Sequence, residues 1–178
     1  HIMRRRQRQM CIRDSVNASD DPSARAILVP GSGTYSRTIS TDNAQAQAFF
    51  DQGLRLAWGF YFPESIASYQ EASRLDPTHP MPYWGMAHAM GPNPNSRYAR
   101  MPDDPKGEGL KAIKNAMDRI DRASALEAKL IRALFVLYDK EAIANPDARD
   151  HAYLAAMRAL NKAYPDDSDI AALYAASY

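Results

Sequence analysis

A pair of helical segments followed, one unit on, by the start of a second pair whose second helix is delayed by an insertion of about ten residues is the feature that most constrains this chain. Counted in units of 34 residues, the first begins at Ala46 and the second at Pro80. In the first, Phe49, Leu56 and Tyr69 are bulky, whereas Gly53, Ser65 and Ala72 are small and Pro77 closes the unit. In the second, Tyr83, Met86, Ala87 and Met90 fall in the corresponding first-helix places. Small residues at matched places let antiparallel helices approach, and bulky ones fill the space between pairs. The spacing therefore predicts stacked helical hairpins, with candidate helices over Asn43–Phe60, Pro63–Leu75, Pro80–Met90, Gly107–Ile120, Ala123–Tyr138, Asp147–Ala163 and from Ser168 onward, each with apolar residues three and four apart. Pro63 with Glu64 marks a helix start, and Asp76-Pro77 and Tyr164-Pro165 mark stops. Gly109, Ile113 and Ala116 continue the small, bulky, small pattern after the proline-rich excursion Gly91–Lys106. The final helix stands without a partner.

This pattern resembles the tetratricopeptide repeat. The string Phe50-Asp51-Gln52-Gly53-Leu54-Arg55-Leu56, with Tyr83-Trp84-Gly85 and Gly91-Pro92-Asn93, further resembles a group of larger, mostly uncharacterised bacterial proteins of that family. The resemblance runs from about Thr41 to Tyr178. It implies an all-α, right-handed superhelix of about three and a half hairpins occupying residues 42–178. It also implies a concave groove lined by Phe50, Leu54, Met81, Trp84 and His88, with Gln47 as a further polar member. The family's carboxylate clamp uses lysine and asparagine there, and this chain departs from that pattern. The implied function is a protein-interaction scaffold that binds a peptide or partner domain on an apolar and aromatic groove. The alternative is a fragment of a larger enzyme or ligand-binding protein whose site further repeats complete. For Phe50 and Trp84 the competing assignment is packing beneath the N-terminal extension or beneath further repeats.

Ahead of the helices, residues 25–41 read as a short extended segment. Ile27-Leu28-Val29 and Tyr35–Ile39 flank a turn at Pro30-Gly31-Ser32-Gly33. The two glycines do not make a dinucleotide loop, because Ser36 occupies the third place and β-branched residues follow it. Residues 1–24 are expected to be a disordered leader. His1-Ile2-Met3 resembles a cloning-site remnant, and Arg8–Ser15 resembles translated sequencing adapter.

Composition excludes several function classes. Of 22 lysines and arginines and 21 acidic residues, the leader holds five and three, leaving 17 against 18. No basic face marks nucleic acid or an anionic membrane surface. The single cysteine, Cys11, excludes an intrachain disulfide and any multi-thiolate metal site. No apolar run is long enough to span a bilayer, so the chain is expected to be soluble, with cytoplasm and periplasm both open. His79, Met81, Met86, His88 and Met90 suggest a soft copper site, but helix geometry places His79 and His88 on opposite faces. No metal or cofactor is therefore expected, and no paired-carboxylate, HExxH, P-loop or nucleophile-elbow signature suggests an enzyme. The acidic set Asp166, Asp167 and Asp169 reads as helix capping. Asn93, Asn95, Arg97, Tyr98 and Arg100 form the one polar loop set suited to ligand contact. Ile170, Leu173 and Tyr174 form an apolar stripe that predicts two-fold pairing of chains through the final helix.

Overall fold

A computed structural model describes residues 25–91 and 101–177. Seven α-helices account for most of them: α1 (Ala44–Trp58), α2 (Phe62–Leu75), α3 (Met81–Met90), α4 (Pro105–Met117), α5 (Ala125–Tyr138), α6 (Pro146–Ala163) and α7 (Ser168–Ala176), with a single 3₁₀ turn at Ile120–Arg122. The described residues are all-α, without a strand. Side-chain caps start most of the helices. Asn43 accepts from the N–H groups of Gln45 and Ala46, Asn145 from those of Asp147 and Ala148, and Asp167 from that of Ile170. Ser124 and Glu127 form a reciprocal capping box at α5. At Asp76 and Tyr164, each before a proline, the backbone leaves the helical region as the sequence predicts.

One boundary differs from expectation. Helix α1 ends at Trp58, not Phe60, because the Phe60 N–H bonds to the Ala57 carbonyl and the Tyr61 N–H to that of Leu56, a Schellman closure. Its left-handed residue is Phe60, with φ 64°, although a glycine stands one position earlier.

Each helix packs on the next, and α3 also packs on both α1 and α5. The odd-numbered helices α1, α3 and α5 thus form one row, with α2 and α4 each packed against the two members that flank it in the chain. Between α1, α2 and α3 the lock is Tyr69, fully buried, whose ring lies against the backbone of Gly53 on one side and Gly85 on the other. A Ser65 hydroxyl donating to the Gly53 carbonyl at 2.7 Å holds the same crossing. Further along, Tyr138 on α5 passes beside Gly109 and donates to the Ala87 carbonyl at 2.6 Å. Ile113, Leu130, Ile131, Met157 and Ile170 continue one apolar core to the last helix.

That core overturns the premise for pairing through α7. Ile170 and Leu173 are 0% and 3% exposed, and Tyr174 packs against the core. The apolar stripe is buried inside the chain, with α6 packed on α7. Among the described residues no helix is long and apolar enough to cross a membrane.

Candidate functional site

Residues 25–41 take no regular secondary structure, turn at Pro30–Ser32 with Gly31 and Gly33 at positive φ, and are held chiefly by side chains of the helices. Two glutamines of α1 act alike. Gln52 accepts from the Val29 N–H at 2.7 Å and donates to the Ile27 carbonyl at 2.8 Å. Gln47 accepts from the Ile39 N–H and donates to the Arg37 carbonyl, both at 2.9 Å. In each case one side-chain amide takes the carbonyl of residue i and the N–H of residue i+2. One residue of a neighbouring strand makes the same pair with its own N–H and C=O in a parallel ladder. Gln52 is anchored beneath by the Ser68 hydroxyl at 3.1 Å, and Gln47 by Asp51 at 2.9 Å.

Arg55 of α1 donates to the Tyr35 carbonyl at 2.6 Å, and acidic side chains supply most of the remaining grip. Asp51 accepts from the Arg37 N–H at 3.0 Å and the Ser36 hydroxyl at 2.7 Å. The Arg37 guanidinium crosses to the start of α7, donating to both oxygens of Asp167 at 2.9 and 3.0 Å and to Asp169 at 2.7 Å. Such forked, charge-assisted bonds are the strong class of hydrogen bond. Burial opposes ionisation of Asp167, but the bonds from Arg37 and the Ile170 N–H more than offset it, so its carboxyl lies below the usual range. Next along, Glu127 on α5 accepts from the Ser40 N–H at 2.8 Å and its hydroxyl at 2.5 Å, while also closing its own helix cap. Burial again works against the charge, and the Ser40 and Ser124 bonds again win, holding the Glu127 carboxyl low. The segment therefore touches α1, α5 and α7, and it enters α1 through Thr41, whose hydroxyl donates to Asp76 at 2.6 Å.

Ser40, His79 and Glu127 lie together, with the hydroxyl oxygen 3.0 Å from His79 Nε2. The order of bonds is not that of a hydrolase. His79 Nδ1 accepts from the Met81 N–H at 3.2 Å, so in the neutral ring Nε2 carries the proton and cannot withdraw one from the serine. Burial lowers the His79 pKa, and Glu127 only partly restores it. This trio positions the segment. An open polar cleft of about 820 Å³ beside it is lined by Ser40, Asn43, Asp76, His79 and Arg122, among others.

The residues expected to line a groove are placed as follows. Phe50, Leu54, Met81 and Trp84 are 0–3% exposed and belong to the core, so they form a floor and not a surface. His88 is half-buried and stacks on Trp84, with ring centroids 5.4 Å apart and planes at 10°. Trp58 approaches it at 6.2 Å. The Trp84 Nε1 and His88 Nδ1 atoms are buried without a hydrogen-bond partner. His79 and His88 have separate surroundings, and among the described residues no group of three or more His, Cys, Asp or Glu could hold a metal ion. Asn93, Asn95, Arg97, Tyr98 and Arg100, like the leader 1–24, lie outside the described residues.

Comparison with protein-family models, with curated proteins and with solved structures finds no match to this chain. The site rests on its own geometry. Asp51, Gln52, Glu127, Asp167 and Asp169 are members that sequence reading does not single out as binding residues. Ser124-x-x-Glu127 and the acidic run at Asp167 and Asp169 carry recognisable signals, and both signals are helix starts.

The grip is measurable. Glu127→Ala removes the capping box and leaves the Ser40 and Ser124 N–H groups without their acceptor, so a loss of about 2 kcal/mol is expected. Glu127→Gln, which keeps the shape and one acceptor oxygen, is expected to lose less. Chemical denaturation of both variants checks the order, and equal small losses would mean that the segment is not fastened there.

Proposed function

We propose that the chain is a tetratricopeptide-type array of about three and a half helical hairpins whose inner helices hold an extended polypeptide segment. The right-handed superhelical arrangement belongs to this reading. It is supported by the unit of 34 residues, the glycines that admit Tyr69, and the packing of α3 on α1 and α5. The observation that carries the binding role is the paired glutamines. Gln47 and Gln52 each engage a carbonyl and an N–H two residues apart, chemistry that recognises extended main chain whatever its side chains.

The apolar residues Phe50, Leu54, Met81 and Trp84 act from beneath. They stiffen the surface on which the polar row stands, and a preorganised row loses little entropy when a segment docks.

Selection of a random peptide library against the full chain carrying Arg37→Ala, in which the resident segment is less firmly tied, tests the reading. Enrichment of peptides whose binding falls about tenfold on adding Gln47→Ala is the expected result. A library that yields no binder, or binders indifferent to Gln47, would refute it.

A further inference from the structure

We infer that residues 36–41 are an internal stand-in for a partner's segment, and that the site selects an extended peptide of the form Arg-x-apolar-Ser. This rests on the binding role proposed above and adds to it what is recognised. The glutamines read main chain and confer no preference. Three side chains of the resident segment do. Arg37 sits in a forked acidic seat built from Asp167 and Asp169, with its side chain only 12% exposed. Two residues on, Ile39 is 4% exposed and packs in the core. The next residue, Ser40, gives Glu127 both its N–H and its hydroxyl proton and meets His79. Thr38, between Arg37 and Ile39, is exposed and leaves that position free. A planar fork at the first position favours arginine over lysine, because only a guanidinium can engage both oxygens of Asp167 while reaching Asp169.

The hold is of a kind that exchanges. Of the large apolar side chains described before α1, Ile39 is buried, whereas Ile27, Leu28, Val29 and Tyr35 are 72%, 47%, 49% and 42% exposed. The segment is thus fastened by polar contacts and the single buried Ile39 side chain, all of which a competitor of the same chemistry can supply. The occupant we assign is a segment of another protein, not a second copy of this chain. Two residues separate Thr41 from α1, so the chain's own segment is present at very high effective concentration. An identical segment from a second copy gains nothing over it, whereas a partner with contacts beyond the site does.

The test uses full chains and a labelled peptide of residues 35–42, Tyr-Ser-Arg-Thr-Ile-Ser-Thr-Asp. Arg37→Ala weakens the resident segment alone, so this chain is expected to bind the peptide about tenfold or more tightly than the unaltered chain. Replacing the peptide's arginine by alanine, or Asp169 of the chain by asparagine, is expected to remove that gain, and lysine in the peptide to recover only part. Where Arg37→Ala lowers helical content, amide exchange in the unaltered chain replaces it. Protection of the Arg37, Ile39 and Ser40 N–H groups is then expected to fall as peptide is added. Equal binding of the alanine peptide, or unchanged protection at saturating peptide, overturns the inference. A mass that doubles with chain concentration, with loss of that protection, would show exchange between copies and overturn it too. If library peptides bind but arginine confers no advantage, only this inference falls. If no peptide of any sequence binds, the proposed function falls with it.

Discussion

Gly85→Val is expected to cost about 3 kcal/mol or more, the upper part of the range for forcing volume into a packed core. For a chain of this size that corresponds to a fall in melting temperature of about 10 °C. A Cβ built at Gly85 lies 2.5–2.7 Å from three ring atoms of Tyr69, well inside contact distance. An isolated tyrosine ring would swing away. This one cannot, because a Cβ at Gly53 would meet the same ring at 2.7–2.9 Å from α1, which marks how closely the backbone already approaches there. Relief must come from parting α3 from α2, and that loosens the crossing on which the first two hairpins depend. Against this, replacing a helical glycine returns at most about 1 kcal/mol of backbone entropy, and a β-branched residue returns less. Tyr69→Leu supplies the control. It forms a cavity and is destabilising by itself, yet it should make Gly85→Val much cheaper, so the two changes are expected to be strongly non-additive. Additive losses in a double-mutant cycle would mean that Tyr69 is not the obstacle.

The same crossing shows why the fold was legible in the sequence. Gly53, Ser65, Tyr69 and Ala72 stand where closely packed hairpins need small and large residues, and local signals such as Asp76-Pro77 and Tyr164-Pro165 set the ends of the helices. Where local chemistry decided an end against expectation, at Phe60, it did so through a Schellman closure that places a phenylalanine where glycine is usual. The site was much less legible. Helical periodicity identifies which residues share a face, but not what lies on that face. Phe50, Leu54, Met81 and Trp84 do share a neighbourhood, and they are buried. Arg37 is tied to Asp167 across 130 positions. Nothing in the spacing of a repeat announces a contact made by a segment outside it. Gln47 and Gln52 are polar residues on a helix until an extended backbone is laid beside them. The stripe on α7 was misread as exposed for a related reason, since an apolar face looks unpartnered until the rest of the chain is placed.

Acidification from pH 7 to pH 4 is expected to remove about 3 kcal/mol of stability, most of it through His88. Burial drives the pKa of this imidazole down to about 4 from 6.5, with a small opposing pull from Asp169. Each unit of displacement is worth about 1.4 kcal/mol. The sign follows from which state takes the proton. Below pH 6.5 the unfolded chain protonates this histidine and the folded chain does not, so the unfolded state binds more protons and stability falls with falling pH until the folded ring also protonates near pH 4. The physical source is the stack. With its ring lying on Trp84 at 5.4 Å and its Nδ1 sealed without a hydrogen-bond partner, an imidazolium would lose hydration at that atom and gain no acceptor. His79 loses stability over a window that also begins at 6.5, because its pKa too is lowered by burial. The lowered carboxyls of Asp76, Glu127 and Asp167 act later, below their ordinary values of 3.8–4.5. His88→Phe separates these contributions, since it keeps an aromatic ring for Trp84 and removes the titration. Denaturation free energies measured at intervals between pH 7 and pH 4 should decline much less steeply for this variant than for the unaltered chain. Parallel curves would exclude His88 as the source of the acid sensitivity.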